Sequence, residues 1–291
     1  MNILKSEIDP SVNFIEQQLI GFTESRYVRK KVEYFICYLS SQTGCNQGCR
    51  FCHLTATKQF KNTDCVMEDY LNQVENVFGY YSKEIPAETC HYNFMARGEV
   101  LDNKWFCLNA PYLFEKLGRF AFKYNVYPKF NLSTIIPKKF LDEYSCLTDV
   151  FDLFCPTIYY SLYSTNSYFR NKWMPKAGEI GRSLNLLKKY QVKSKKILKI
   201  HHCFIEGEND SIKDLEEMVR CLDFYGLMYE FNLVRYNPYN KEQGREASEN
   251  VIMRNLYWLK ENVKGKVQEI PRVGPDVYAS CGMFMEKSKC I

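Results

Sequence analysis

Cys45, Cys49 and Cys52 stand at Cys-x3-Cys-x2-Cys spacing inside the stretch Ser40-Ser41-Gln42-Thr43-Gly44-Cys45-Asn46-Gln47-Gly48-Cys49-Arg50-Phe51-Cys52. A tight loop of this kind can aim three thiolates at one point. Cysteine thiolates hold iron–sulfur clusters, normally four to a cluster, so three would leave one iron of a [4Fe-4S] cluster open. The alternative chemistry is a structural zinc site, which closes with four ligands. His53 adjoins Cys52 and is badly placed to be that fourth ligand. The spacing and the missing ligand favour the cluster.

Hydrophobic periodicity supplies the elements that must position this loop. Residues 34–39 read as a buried strand leading into it, and strands and helices alternate from there. Met67, Tyr70, Leu71, Val74, Val77 and Phe78 recur at helical spacing behind the cap candidates Thr63 and Asp64. Strands are expected at 91–95, 127–132, 157–162, 197–205, 229–236 and 267–270. Helices are expected around Leu113–Tyr124, Ile180–Tyr190, 211–226 and 247–263, with Ser211 capping the third. Repeated strand–helix units imply a parallel sheet with right-handed crossovers. Six such units make an α/β fold, a partial (β/α)6 TIM-like barrel. Its site belongs at the carboxyl ends of the strands. Gly98, Glu99, Ser133, Ser161 and Asn237 all fall at such ends.

The rest of the chain adds bounds. It has 291 residues, 46% hydrophobic, enough for one catalytic domain with a sizeable core. Residues 1–30 read as a short N-terminal extension, with one strand at 14–20 and a solvated basic turn at Arg26, Arg29, Lys30 and Lys31; residues 31–291 form the core domain. No apolar run reaches the length of a membrane span, and residues 1–12 carry Glu7 and Asp9 rather than a signal sequence. Thirteen cysteines, an odd number, fit reduced thiols in the cytoplasm. A net charge of +5 permits a nucleic-acid partner without requiring one.

Taken in order, the motifs resemble the RlmN/Cfr family of RNA adenine methyltransferases, within the radical S-adenosylmethionine (SAM) superfamily, from about Glu16 to Phe284. The cluster loop resembles the family's Ser-Ser-Gln-x-Gly-Cys entry. Met95-Ala96-Arg97-Gly98-Glu99-Val100-Leu101 is similar to Met-Gly-Met-Gly-Glu-Pro-Leu, and Leu132-Ser133-Thr134 matches Leu-Ser-Thr. Ser161-Leu162-Tyr163 resembles Ser-Leu-His, and Arg170 and Pro175 keep the spacing that follows it. Asn232-Leu233-Val234-Arg235-Tyr236-Asn237-Pro238 resembles Asn-Leu-Ile-Pro-x-Asn-Pro. The segment 274–282 resembles Gly-x-Asp-Ile-x-Ala-Ala-Cys-Gly.

The resemblance implies a radical SAM core, a [4Fe-4S] cluster on Cys45, Cys49 and Cys52, and SAM as cofactor. It implies that Gly98 and Glu99 receive the SAM amino group, with Ser133, Ser161, Leu162, Tyr163 and Asn237 around its carboxylate and ribose. It also implies a C-terminal methyl-cysteine segment. One SAM methylates Cys281, and a second, cleaved reductively at the cluster, yields a radical that takes hydrogen from that S-methyl group. The carbon radical then adds to an adenine ring carbon, carbon 2 preferred. Glu16 would deprotonate the adduct, and a resolving thiol would release it. The family's resolving cysteine lies seven residues before the first cluster cysteine. Tyr38 stands there and Cys37 is one residue further off; either Cys37 serves, or Cys290 substitutes, or release differs. A strand bulge would aim Cys37 correctly.

The expected partner is RNA, tRNA or rRNA. The chain begins almost at the catalytic core, and that favours a small substrate such as an anticodon loop. An electron donor such as flavodoxin or ferredoxin and a monomeric state complete the expectation. The rival readings are a radical SAM enzyme with another substrate, and a non-catalytic zinc-stabilised RNA-binding module.

Overall fold

The computed structural model describes residues 3–18 and 22–286. Ten strands form one sheet in chain order: β1 (Ile3–Lys5), β2 (Val12–Gln18), β3 (Phe22–Val28), β4 (Tyr34–Tyr38), β5 (Thr89–Phe94), β6 (Tyr127–Thr134), β7 (Thr157–Ser161), β8 (Leu198–His202), β9 (Tyr229–Val234) and β10 (Val267–Ile270). β1 to β4 pair antiparallel, and β4 to β10 pair parallel. The parallel strands alternate with helices: α1 (His53–Ala56) and α2 (Met67–Tyr81), α3 (Lys104–Phe122), α4 (Lys138–Glu143) and α5 (Thr148–Phe151), α6 (Ser167–Trp173) and α7 (Ile180–Ser194), α8 (Ile212–Phe224), then α9 (Glu249–Asn262). This is the expected partial barrel. No helix among the described residues is long and apolar enough to cross a membrane.

Strand parity decides which side chains see the interior. In β4, Phe35 and Cys37 are buried toward the helices, where Phe35 packs on Phe78 and Tyr81 of α2. Ile36 and Tyr38 take the opposite face. The α2 helix begins after Val66, whose N–H donates to the Asp69 carboxylate at 2.9 Å. Thr63 and Asp64 are therefore not its caps. Asp64 instead accepts the Gln42 amide at 2.8 Å and the Lys104 N–H at 2.9 Å, tying the cluster loop to the start of α3. Ser211 caps α8 as expected, accepting the Asp214 N–H at 3.1 Å.

The N-terminal strands continue the sheet beyond β4. The expected strand at 14–20 is β2, and the end of that expectation lies outside the described residues. Arg26 departs from its place in a solvated turn. It sits at 3% exposure on β3, a strand covered on both faces: Tyr27 packs into the main core, and Val28 packs with Val277, Ala279 and Met285. Residues 273–285 follow β10 and cross back to these strands. Ser6 donates to Asp276 at 2.6 Å, and Val277, Ala279 and Met285 pack with Val12, Phe14 and Val28. One small core thus joins both ends of the sheet.

Candidate functional site

The cluster loop is held from both sides. The Ser40 N–H donates to the Gln73 side chain of α2 at 2.7 Å, and the Gln73 amide returns to the Ser40 carbonyl at 3.1 Å. The Ser41 N–H donates to the Arg97 carbonyl at 2.8 Å, and the Glu99 N–H donates to the Gln42 side chain at 3.1 Å. Ser-Ser-Gln therefore stitches the loop to the end of β5. Gly98 sits at φ +95°, and a Cβ there would stand 2.6 Å from Ser41 Oγ and 2.8 Å from the Gln42 backbone nitrogen. Glycine is the residue that fits such a conformation and so close an approach.

Above this junction opens a concave cavity lined mostly by apolar atoms, with a few polar groups converging on it. Cys45, Cys49, Cys52, Gly98, Glu99, Ser133, Ser161, Tyr163, Asn237 and Cys281 all line it. Residues from five strand ends, the cluster loop and the C-terminal segment thus meet at one place. Three expected residues do not line it. Leu162 is wholly buried in the sheet–helix core. Cys37 is in the same core; β4 keeps a regular register with Tyr27 and Tyr92, and no bulge turns its thiol round. Glu16, 6% exposed, lies opposite Glu24 in the β2–β3 ladder, outside the cavity wall. Cys290 lies outside the described residues.

The three loop cysteines sit where ionisation is disfavoured. Burial pushes the Cys52 thiol up to about 11 and raises Cys45 and Cys49, and negative charge on neighbouring loop thiols raises them further. A bound cation reverses that logic and draws the thiolate form. Among the described residues, no three His, Cys, Asp or Glu side chains converge as ligands of a single ion. Three cysteines on one loop match the donor set of a [4Fe-4S] cluster that leaves one iron open.

Glu99 is anchored at 6% exposure. Its carboxylate accepts the Thr134 hydroxyl at 2.6 Å, the Ile135 N–H at 3.1 Å and the Leu101 N–H at 3.2 Å. Burial pushes it up to about 7 despite those donors. Asn237 is engaged by protein on both amide atoms. Its Nδ2 donates to the carbonyls of Cys281 at 3.0 Å and Arg235 at 3.1 Å, and its Oδ1 accepts from Arg272 at 2.7 Å. His53, 2% exposed, donates its backbone N–H to the Gly282 carbonyl at 2.9 Å, while its Nε2 bonds the Asn237 carbonyl at 3.0 Å. Cys281 is therefore positioned through its backbone by the end of β9 and the end of the cluster loop.

Cys281 is open to solvent through the cavity. An electropositive setting would lower its thiol. Crowding by protein wins and pushes it above the ordinary value, with the Arg26 guanidinium and the Tyr163 hydroxyl pulling the other way. The structure also brings in residues the sequence did not single out. Cys203, at the end of β8, lines the same cavity and lies within the electrostatic reach of Cys281. Thr134 supports Glu99, although its own motif, Leu-Ser-Thr, was visible. Glu24 and Arg26 reach the C-terminal segment from β3.

A parallel strand–helix fold with three cysteines in the loop after its first parallel strand defines a radical SAM enzyme, and the comparisons agree. No family model matches. The chain is 28% identical over 271 residues to the dual-specificity RNA methyltransferase RlmN of Aliarcobacter butzleri, covering 91% of this chain and 70% of that protein. It is 23% identical over 290 residues to the probable dual-specificity RNA methyltransferase RlmN of Thermotoga neapolitana, covering 98% and 78%. A radical SAM methyltransferase from Sphaerobacter thermophilus shares the fold, with a TM-score of 0.76 at 18% identity over 97% of this chain and 80% of its own. Within that class, the chain is similar to RlmN proteins over most of its length.

Proposed function

We propose that this chain is a radical SAM RNA methyltransferase that methylates an adenine ring carbon, carbon 2 preferred, in tRNA or rRNA, through S-methylcysteine at Cys281. One observation carries the reading: Cys281 lines the cavity that Cys45, Cys49 and Cys52 also line. The similarity to RlmN proteins supports RNA as the substrate. A [4Fe-4S] cluster on the three cysteines would supply the electron that cleaves SAM to a carbon-centred radical.

The chain's own groups do the rest. Glu99 receives the ammonium of the cofactor, and Ser133 and Ser161 offer hydroxyls at neighbouring strand ends. Asn237 holds the Cys281 carbonyl rather than facing the ligand with free donors. The thiolate is the form that accepts a methyl group; burial disfavours it at Cys281, and Arg26 and Tyr163 offset that only in part. Glu16 is the base that the resemblance assigns to the adduct, but it lies outside the cavity wall, opposite Glu24, and would have to act from there.

Release needs a second thiol. The attacking sulfur bonds to Cys281, the sulfur–carbon bond breaks, and the carbon keeps the electron pair. An external two-electron reductant then resets the disulfide. Cys203 is our candidate in place of Cys37, because it lines the cavity and Cys37 does not. After turnover, peptide mass spectrometry should find a Cys203–Cys281 disulfide, lost in Cys203→Ser and kept in Cys37→Ser. A disulfide that survives Cys203→Ser would reject Cys203.

The function itself is tested on purified, cluster-loaded enzyme given SAM, reductant and tRNA or rRNA. Nucleoside mass spectrometry should show methyladenosine in the RNA, and peptide mapping should show S-methylation at Cys281. SAM cleavage with no methyl in RNA and an unmodified Cys281 would favour a radical SAM enzyme with another substrate.

A further inference from the structure

Residues 279–286 form no regular strand or helix, so their backbone groups must find partners elsewhere. Three buried charged side chains take them. Arg26 donates through Nη1 to the Ala279 carbonyl at 2.9 Å and through Nη2 to the Met283 carbonyl at 3.0 Å. Glu24 accepts the Met285 N–H at 3.0 Å. Arg97 donates to the Met285 carbonyl. The same groups bind one another: Glu24 lies 3.2 Å from Arg26 Nη2 and 3.0 Å from Arg97 Nη2. Gln59 closes the ring, accepting from Arg97 at 2.7 Å and donating to the Met285 carbonyl at 3.0 Å. The Arg26 guanidinium also lies 5.3 Å from the Phe284 ring centroid.

The burial is near complete, with Glu24 and Arg97 at 0% exposure and Arg26 at 3%. A buried charge network of this kind is costly unless each charge is paired and hydrogen-bonded. Here both cations meet Glu24, and each also donates to backbone carbonyls of the strap. Those carbonyls belong to residues on either side of Cys281. The network also ends at Arg97, whose next two residues are Gly98 and Glu99 of the cavity wall.

We propose that Arg26, Glu24 and Arg97 form a buried latch that seats the 279–286 strap, and that they are positioning residues for Cys281. The latch holds backbone and leaves the Cys281 sulfur unblocked. Unlatching frees the strap while the barrel stays folded. The inference rests on the proposed methyl-cysteine chemistry only for its catalytic consequence; the latch itself is a statement about the strap.

The test uses the full chain, purified with its metal, as wild type, Arg97→Met, Arg97→Lys and Glu24→Gln. Amide hydrogen exchange followed by peptide mass spectrometry reads the strap directly. Arg97→Met and Glu24→Gln should raise exchange across 279–286 at least tenfold and leave the peptides of β5 to β9 unchanged. Arg97→Lys, which keeps the charge, should restore part of the protection. In the same proteins, methyl transfer to Cys281 should fall at least tenfold while reductive SAM cleavage stays within twofold of wild type. Unchanged exchange in the strap, or a rise spread evenly over the barrel, would overturn the latch. A wild-type protein that carries no methyl on Cys281 would count against the proposed function, and the exchange data would still decide the latch.

Discussion

Cys281→Ser is expected to abolish methyl incorporation into RNA, by at least about 10³-fold, while the protein still folds and still cleaves SAM reductively. The hydroxyl of serine is far less acidic than a thiol, so the acceptor of the methyl group is lost. The fold should tolerate the exchange because the structure holds residue 281 through its backbone. Asn237 takes its carbonyl, and His53 takes the carbonyl of Gly282. The cleavage machinery is separate in sequence, since the three cluster cysteines and Glu99 come from other elements. The measurement pairs 5′-deoxyadenosine production with methyl counts in RNA, on the same loaded sample. Methylation that persists in Cys281→Ser would remove the methyl-cysteine route.

Glu99→Gln is expected to weaken SAM binding about 100-fold at pH 8 and to erase its pH dependence. A hydrogen bond to a charged partner contributes on the order of 1.5–3 kcal/mol, and a buried ammonium without its carboxylate loses more. The sign follows from burial, which pushes Glu99 up to about 7, above its unfolded value. Below about pH 7 the carboxyl is mostly protonated and receives an ammonium poorly. As pH rises through 7 it ionises, so SAM should bind more tightly and fewer protons should be released on binding. The same shift acts on stability in the opposite sense. The neutral form favours the fold, so this group's contribution is full below its unfolded value and is lost as pH rises through about 7. Gln cannot ionise, and its amide also meets the Ile135 N–H as donor against donor. Equilibrium binding from pH 5.5 to 8.5, with buffers of different ionisation enthalpy, reads both effects. An unchanged slope in Glu99→Gln would assign the titration to another group.

Much of this was legible in the sequence, for physical reasons. The barrel strands and long helices announce themselves because a core needs apolar side chains at fixed periods, as at Val74, Val77 and Phe78. The cluster loop is legible because a metal demands particular ligands at particular spacing. What failed was parity and partnership. Cys37 could be read either way until the β4 register fixed its face toward Phe78 and Tyr81. Arg26 looked solvated because a charged residue near Arg29 and Lys30 has no visible partner in sequence; its partners are Glu24 and carbonyls some 250 residues later. Leu162 sat inside a motif whose flanking residues face the cavity, and alternation turned it away. Cys203 was one thiol among thirteen, and only the end of β8 sets it apart.

The crossing of residues 273–285 back onto β1, β2 and β3 fixes an order of events for a growing polypeptide. Those residues leave the ribosome after the whole barrel, so Val12, Phe14 and Val28 wait uncovered while α2 through α9 are made. During that interval the thiols of Cys45, Cys49 and Cys52 have no strap beside them.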